Sequence, residues 1–426
     1  FLGTAADILK VNGGKIMNRI QKPVLICLIL LFLIPAAAVY SQSSYSYRSE
    51  HYSVTTQVNQ DFTEDTAVFM EAFFDLYTSY LHFDPEEIEQ PLKVRIFKSK
   101  ESYDSFLQSV LGETRSSFVF LHYSDPKRSE LVGYNISDQA ALHKKLIHHG
   151  FTQYIKTFIP NPPLWIQKGF AVYFENSTYD SEKNTAVYHP NHAWVPTLRE
   201  KLRQDASLSD PEVFIPVSNL LFIDQETAGN KIEAFYAQVW GVVHFLIHSE
   251  KKAYNRLIWD ALSALDPQAS MRTNENRVVD MAFEWVNKDA LISDFASFMQ
   301  ALKTFSDLIQ MGIDAYAKGE YEQAEKAFTD AKSLRTDHYV PDYYLGLISY
   351  NRGEFSMAEY YYLSAVKKDG NSDLLYYALG VNAMADNRLE DSSFYLEQAV
   401  ENEGPYSDKA SKLIDEVKSR SEETAM

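Results

Sequence analysis

Three stretches of the chain repeat at a constant spacing and decide the fold of its C-terminal third. They are residues 312–331 (GIDAYAKGEYEQAEKAFTDA), 346–365 (GLISYNRGEFSMAEYYYLSA) and 380–399 (GVNAMADNRLEDSSFYLEQA), each displaced from the last by 34 residues. Glycine opens every stretch and alanine closes it. Between them, apolar side chains recur at helical spacing. This period indicates stacked helical hairpins, because a single hairpin cannot bury its own apolar face.

The pattern resembles the tetratricopeptide repeat. Further signature positions, given in groups of three equivalent residues, are Gly319, Gly353 and Asn387; Tyr321, Phe355 and Leu389; Ala324, Ala358 and Ser392; and Phe328, Tyr362 and Leu396. The resemblance implies an all-α superhelix with repeats at 305–338, 339–372 and 373–404, followed by a capping helix at 405–420. The Gly or Asn of each hairpin turn tolerates a positive φ.

In that repeat family, the first helix of each pair lines a concave groove that binds peptides or proteins. Five side chains occupy positions that would face this groove: Tyr316, Tyr343, Tyr350, Tyr377 and Met384. Aromatic side chains on a concave surface suit a protein ligand. The alternative is that these tyrosines pack between repeats. Residues 305–426 carry 23 acidic and 12 basic side chains, a difference of −11, which favours a basic or neutral partner.

The preceding part of the chain mixes two kinds of pattern. Alternating and β-branched residues predict strands at 51–58, 92–97, 117–121 and 130–134. Helical spacing predicts helices at 63–82, 101–111, 140–158, 163–174, 234–248, 278–286 and 290–305. Strands followed by helices indicate an α+β domain at 51–304. A polar tether at 42–50 precedes this domain in the sequence.

Two motifs of this domain lie close together in sequence. They are HHGFTQY at 148–154, on a predicted helix, and PLWIQKGFAVYFE at 163–175, after a proline-rich loop. The pair resembles the gluzincin metallopeptidases, in particular the bacterial peptidase MA-like group, whose pattern is HExxH, a short loop and P-x-W-x-x-E-G-x-A-x-Y-F. The resemblance implies a gluzincin-like fold over 51–304. It also implies that the strand at 130–134 is the sheet edge that would hold an extended substrate.

The residues that zinc chemistry requires are missing from these motifs. In that family, two His at i and i+4 and a later Glu hold Zn²⁺, and the Glu after the first His is the general base. Here His149 matches the first ligand, Gly150 stands in place of the base, and Gln153 and Lys168 replace the other two ligands. An ammonium at the third position disfavours a bound cation. We therefore predict a pseudoenzyme with no catalytic residue, no metal and no other cofactor.

Other side chains could rebuild a metal site. The candidates are His143, His148, His189, His192, His244, His248 and Glu175. Two pairs have suggestive spacing, one as HxxH in a loop and one at i and i+4 on an apolar helix. Apolar surroundings favour packed histidines over ligands. The sequence contains no G-x-S-x-G elbow, phosphate loop or dinucleotide fingerprint.

The N-terminal segment and the composition indicate where the protein acts. Met17 is followed by a basic start, an apolar run at 23–35 and small residues, which is typical of a secretory signal peptide at 17–41. If uncleaved, this segment would be a membrane anchor. The single cysteine, Cys27, lies within it, so thiol chemistry is excluded from the mature chain. The net charge of −18 argues against nucleic acid as a partner. We expect an exported bacterial protein of the periplasm, the cell envelope or the secreted fraction.

These features favour one function and leave two alternatives open. The favoured function is an exported protein-binding scaffold or adaptor with an inactive peptidase-like domain and a peptide-binding repeat array. The first alternative is an active zinc metallopeptidase with a non-standard ligand set. The second is a structural envelope component whose repeats assemble copies of itself.

Overall fold

The computed structural model describes residues 44–369 and 373–425, so the predicted signal peptide at 17–41 lies outside the described residues. A region of mixed strands and helices is followed by an all-helical region. The strands are β1 (Tyr45–Arg48), β2 (Tyr52–Thr56), β3 (Leu92–Phe97), β4 (Val119–Leu121), β5 (Glu130–Tyr134), β6 (Thr178–Asp180) and β7 (Thr185–Val187). The helices of the first region are α1 (Gln60–Leu81), α2 (Lys100–Leu111), α3 (Gln139–Phe158), α4 (Leu164–Phe174), α5 (Val195–Gln204), α6 (Val217–Leu220), α7 (Gln225–Asn230), α8 (Ile232–His248), α9 (Lys252–Ser263), α10 (Met271–Val278) and α11 (Lys288–Ala301).

The second region consists of paired helices and a final single helix. They are α12 (Phe305–Ala317), α13 (Tyr321–Leu334), α14 (Tyr339–Asn351), α15 (Phe355–Asp369), α16 (Asp373–Ala385), α17 (Leu389–Glu401) and α18 (Ser407–Ala425). Short 3₁₀ turns occur at Pro85–Glu87, Pro126–Arg128 and His192–Trp194, and one π-helical turn spans Val279–Phe283. In the part of the chain that the structure describes, no helix combines the length and the apolar character needed to cross a bilayer.

The strands β1 to β5 form one mixed sheet in the order β1-β2-β3-β5-β4. β2, β3 and β5 are parallel, and the antiparallel strands β1 and β4 form the two edges. The expected tether at 42–50 is therefore wrong over Tyr45–Arg48, which pairs with β2. The expectation that 130–134 is an edge strand is also wrong. Leu131, Val132 and Gly133 are all buried, as in a central strand covered on both faces.

The core of the first region lies between the sheet and the helices α1, α3, α4 and α8. Helix α1 starts three residues before the predicted position, because the side chain of Asn59 accepts a hydrogen bond from the Phe62 amide at 2.7 Å and caps the helix. Helices α4 and α8 approach each other closely at Gly169. A Cβ atom there would lie 2.7 Å from the main-chain oxygen of Val239, so the glycine of the tryptophan motif is required by packing.

The paired helices repeat with the period of the sequence, since their first members begin at residues 305, 339 and 373. In each pair, a glycine of the first helix faces a large side chain of the second. A Cβ atom on Gly312 would lie 2.6 Å from the ring of Phe328, and one on Gly380 would lie 2.6 Å from Leu396. The equivalent contact of Gly346 with Tyr362 is closer still. Glycine at these positions allows the two helices to touch.

The hairpin turns show the predicted backbone conformation. Gly319 and Gly353 have φ angles of 77° and 75°, and Asn387 has a φ of 60°. These are left-handed values that glycine and asparagine adopt at low cost. The residues that the repeat pattern marks as tolerant of a positive φ therefore adopt one at all three turns.

Polar contacts join the two regions on one side. Four side chains of the first region bind the start of the helical region: Arg199 contacts the Asp307 carboxylate at 2.8 Å, His192 Nδ1 the Lys303 oxygen at 2.8 Å, His189 Nδ1 the Ser333 oxygen at 3.0 Å, and Asn176 Nδ2 the Leu334 oxygen at 3.3 Å. Three of the four partners are main-chain oxygens. The first helical pair is therefore fixed against the first region.

Candidate functional site

The motif HHGFTQY at 148–154 lies where α3 passes the edge strand β4. His149 Nε2 hydrogen-bonds to Ser117 Oγ at 3.1 Å, and Lys145 Nζ donates to the same oxygen at 3.4 Å. Burial lowers the pKa of His149 well below its usual value, and His148, Lys168 and Lys145 lower it further. The ring is therefore neutral and is bound to Ser117, two residues before the edge strand β4.

Two other motif residues on α3, Gly150 and Gln153, are packed against neighbouring segments. A Cβ atom on Gly150 would lie 2.9 Å from Met70 Cε, so Met70 fills the space beside Gly150. The side chain of Gln153 is buried, and its Nε2 donates to the main-chain oxygen of Lys93 at 2.9 Å. The structure thus holds His149 and Gln153 with separate partners.

Lys168, in the middle of α4, places a positive charge beside the two histidines. Burial, and then the charge of Lys156, lower the pKa of the Lys168 ammonium to about 8. Its charge in turn helps to lower the pKa of His148 and His149. Among the described residues, no hydrogen bond or ion pair to Lys168 is found. A Zn²⁺ ion would therefore meet an ammonium and only one histidine of the predicted ligand set, and these residues do not fit zinc.

A carboxylate near His148 directly follows α4. Glu175 Oε1 is 3.9 Å from His148 Nδ1 and 3.9 Å from Lys144 Nζ. Burial raises the pKa of Glu175, whereas Lys144 and Lys145 oppose this shift. Burial, together with Lys168, Lys144 and Lys145, lowers the pKa of His148 to about 3.

The remaining candidate histidines lie in packing or junction positions. His143 stacks on Phe69 with ring centroids 4.3 Å apart, and His244 is buried between Trp240 and His248. His189 and His192 bind main-chain oxygens at the junction of the two regions. Over residues 44–369 and 373–425, no three His, Cys, Asp or Glu side chains are grouped so that they could hold a metal ion.

The five predicted groove residues are all half-buried. Each packs against the core of a helical pair while part of its side chain stays in solvent. These side chains can therefore pack between repeats and still present part of their surface to a ligand. Asn351 Nδ2, on the second pair, donates to the hydroxyl of Tyr316 on the first pair at 2.8 Å and fixes its position.

Several of these phenol groups converge on one surface. Burial raises the pKa of Tyr343, and the nearby phenols of Tyr406, Tyr344 and Tyr316 raise it further. Tyr377 packs on Tyr406 with ring centroids 5.3 Å apart. Side chains from α12, α14, α16 and the segment before α18 thus share one face. We call Tyr316, Tyr343, Tyr377 and Tyr406 the tyrosine row.

Some residues of both sites could not be found from the sequence motifs. Tyr406 lies beyond the third repeat, so the 34-residue period does not indicate it. Ser117 is 32 residues from His149 in sequence, and only the fold brings the two together. Lys144 and Lys145 lie on the same helix as the motif, and their two adjacent positive charges are visible in the sequence.

One protein family matches this chain, over less than a third of its length. Residues 137–267 match a family described as a protein of unknown function, DUF1570, and this segment contains α3, α4, α8 and α9. No curated protein matches the chain.

Among solved structures, a T3SS complex from Aeromonas hydrophila is 17% identical with a TM-score of 0.27, and the match covers 30% of this chain and 89% of that chain. The type III secretion translocator chaperone SycD of Yersinia enterocolitica is 18% identical with a TM-score of 0.27, and the match covers 30% of this chain and 94% of that one. A complex of SycD with a peptide of the translocator YopD gives 18% identity, a TM-score of 0.27, and coverage of 29% and 98%. The function of this chain is therefore to be inferred from its own residues.

Proposed function

We propose that this protein is a non-catalytic adaptor that binds an extended segment of another protein. The tyrosine row carries the proposal, because it places partly exposed phenol groups from three successive helical pairs and from the segment before α18 on one face. Phenol rings offer apolar area and a hydrogen-bonding hydroxyl, and they lose little conformational entropy on binding. We further propose that the helical pairs are tetratricopeptide repeats and that this face is their ligand groove.

The net negative charge of the helical array, residues 305–426, restricts the kinds of ligand that could bind it. Residues 305–426 have 11 more acidic than basic side chains, so an acidic segment would be repelled. Some of this charge is neutralised within the array, where Asp342 binds Lys332 and Lys368, and Arg388 binds Glu359. The remaining surface favours a neutral or basic segment with apolar side chains that can pack between the tyrosines.

The first region is proposed to be a gluzincin-like domain that has lost catalysis. This view is supported by the hydrogen bond between His149 and Ser117, by Met70 beside Gly150, and by the ammonium of Lys168. An active zinc peptidase would need each of these three features to change. The two regions would then act together, since the junction contacts hold the first helical pair against the domain.

Self-assembly is kept as a second candidate because of one observation. Four apolar side chains on the second helices of the pairs are exposed: Met357, Tyr360, Leu363 and Phe394. Tyr360 and Phe394 are 34 residues apart and therefore occupy equivalent positions in neighbouring pairs. A dimer or polymer in light scattering would favour this candidate, and a monomer would favour the adaptor.

We also propose that the protein is exported, on the basis of the signal-like segment at 17–41.

A phage-displayed random peptide library tests the adaptor function directly. We expect the wild-type protein to enrich neutral or basic peptides with aromatic or aliphatic residues. A Tyr343→Ala/Tyr377→Ala variant, which removes two members of the tyrosine row, should lose this enrichment without loss of helical circular dichroism. Phe394→Ala, which removes an exposed aromatic side chain elsewhere on the array, is the matched control. Equal enrichment by the wild-type and double variants would contradict binding in the proposed groove.

A further inference from the structure

Three histidine rings lie in a row that ends at the junction of the two regions. The ring centroids of His248 and His244, both on α8, are 4.4 Å apart, and those of His244 and His192 are 5.3 Å apart. His192 Nδ1 in turn donates to the main-chain oxygen of Lys303, in the segment that connects α11 to α12, at 2.8 Å. We call His192, His244 and His248 the histidine row. The row therefore connects the interior of the first region with the polar contacts that hold the helical array.

The middle ring of the row is the one most removed from water. His244 is 3% exposed and stacks on Trp240 with ring centroids 5.0 Å apart, and its Nδ1 atom has no hydrogen-bond partner among the described residues. His192 is half-buried, whereas His248 is exposed at the end of α8, where its Nε2 lies 2.9 Å from the Tyr173 hydroxyl. A proton on His244 would be a buried charge without an acceptor, so this packing keeps the ring neutral.

Charged groups reach the row from α5 and from the connecting segment. The guanidinium of Arg199 donates to the Leu302 oxygen, so a proton on His192 would place a second cation on the neighbouring peptide oxygen of Lys303. The ammonium of Lys303 is exposed, and the Asp307 carboxylate is bound to Arg199 at 2.8 Å. In the described part of the chain, no member of the row forms an ion pair with a carboxylate. The aromatic rings that pack against the row are uncharged near neutral pH and belong to Tyr173, Tyr188, Trp240 and Phe298.

Docking of the two regions lowers the proton affinity of the row. Burial lowers the pKa of His192, the hydrogen bond to the Lys303 oxygen opposes this shift, and Arg199 adds to it. Burial, and then His248 and His192, lower the pKa of His244. Separation of the regions breaks the bond between His192 and Lys303 and opens the His192 ring to water, where a histidine has a pKa of about 6.5. Below that pH, protons bind preferentially to the separated arrangement and favour it.

We propose that the histidine row is a pH-sensitive switch, which keeps the two regions docked at neutral pH and releases the helical array from the first region in acid. The array keeps its helical pairs on release, because the contacts between the two helices of a pair are local. The inference goes beyond the proposed adaptor function and does not rest on it, since docking is a property of the chain without a ligand. For an adaptor, the switch means that partners held by the two regions are fixed relative to each other only at neutral pH.

Small-angle X-ray scattering of the full chain at pH 7.5 and pH 5 tests the switch. We expect the radius of gyration to rise at pH 5 and to fall again when the sample is returned to pH 7.5. For one histidine whose pKa returns to about 6.5 on release, the ratio of docked to released molecules should fall by up to about thirtyfold between these pH values. Arg199→Lys keeps the positive charge but loses the forked contact with Asp307 and Leu302, so release at pH 5 should be more complete in this variant.

Two substitutions in the row should together abolish the response. His192→Gln keeps a side-chain N–H for the Lys303 oxygen, and His244→Phe keeps an aromatic ring against Trp240, while neither new side chain can be protonated. The double variant should have the same radius of gyration at both pH values. His82→Asn is the matched control, because it removes an exposed histidine that follows α1 in a left-handed conformation suited to asparagine. This control should open in acid as the wild-type protein does.

Far-ultraviolet circular dichroism of the same samples separates release from unfolding. A larger radius with unchanged helical signal is the expected result. Loss of the helical signal together with the larger radius would assign the change to unfolding and overturn the switch. An unchanged radius in both the wild-type and Arg199→Lys proteins, or an equal increase in the double variant, would overturn it as well. The peptide-library test of the adaptor function, carried out at pH 7.5, is independent of all these outcomes, so the two proposals can fail separately.

Discussion

The guanidinium of Arg199, in α5, contacts the carboxylate of Asp307, in α12, at 2.8 Å and joins the two regions of the protein. Asp307 also completes a capping box with Thr304 at the start of α12. Arg199 donates in addition to the main-chain oxygens of Leu302 and Gln300. Arg199 therefore forms polar contacts with the end of the first region, with the connecting segment and with the first helix of the helical array.

Arg199→Ala should uncouple the two regions. The substitution removes three hydrogen bonds at the junction, and we expect it to weaken docking by about 1–3 kcal/mol. Differential scanning calorimetry should show one transition for the wild-type protein and two separated transitions for the variant. Arg256→Ala removes an exposed i, i+4 pair with Asp260 and should leave a single transition. A wild-type thermogram from Arg199→Ala would show that the junction does not couple the regions.

Restoring the missing zinc groups should create a metal site. The variant combines Gly150→Glu, Gln153→His and Lys168→Glu with Met70→Ala, because Met70 would otherwise lie 2.9 Å from a new Cβ atom at 150. A histidine at 153 can donate Nδ1–H to the Lys93 oxygen and leave Nε2 for the metal. Elemental analysis should find about one zinc per variant protein. Stoichiometric zinc in the wild-type protein would instead refute the pseudoenzyme interpretation.

Asp342→Ala should destabilise the helical array strongly. The Asp342 carboxylate is fully buried and binds Lys332 of α13, at 2.6 Å, and Lys368 of α15. Its removal leaves two partly buried ammonium groups without their shared anion, at a cost of about 3 kcal/mol. Urea denaturation followed by circular dichroism should show the loss. Asp330→Ala removes an exposed carboxylate from α13 and should change the midpoint little. Similar midpoints for both variants would mean that the buried ion pairs contribute little net stability.

Acid should destabilise the protein through His244. Burial first, and then His248 and His192, hold the pKa of His244 well below its usual value. Its other neighbours, Trp240, Tyr173 and Phe298, are not charged near neutral pH. Below pH 6.5, the unfolded chain therefore binds a proton that the folded chain does not. Stability is lost as the pH falls, by up to about 2 kcal/mol at pH 5 for one histidine.

A His244→Phe variant tests this assignment. Phenylalanine keeps the aromatic contacts with Trp240 and cannot be protonated, and His244 Nδ1 has no hydrogen-bond partner to lose. Urea midpoints at pH 7.5 and pH 5 should differ less for the variant than for the wild-type protein. His148 and His149, whose pKa values are also lowered, would account for a remaining difference. An unchanged pH dependence would exclude His244 as a contributor.

The sequence was sufficient where the determining contacts are local. Gly346 and Tyr362 are 16 residues apart, and the same offset recurs for Gly312 with Phe328 and Gly380 with Leu396. Because each pair of helices is formed by one short segment of the chain, the 34-residue period alone predicted the hairpins and the turn residues that tolerate a positive φ. The central strand β5 shows the limit of such local reading. Its short pattern did not reveal that β4, earlier in the chain, pairs on its outer side.

By itself, the sequence determined the helical pairs and the absence of an HExxH motif at 148–154, because both are properties of residue type at fixed spacing. Only the tertiary structure decided what surrounds the remaining groups. Ser117 meets His149 across 32 residues, Tyr406 joins the tyrosine row from beyond the repeats, and His192 binds the Lys303 oxygen across 111 residues. The charge and hydrogen-bond partners of a side chain depend on which distant segments the fold brings together, and no local pattern encodes them.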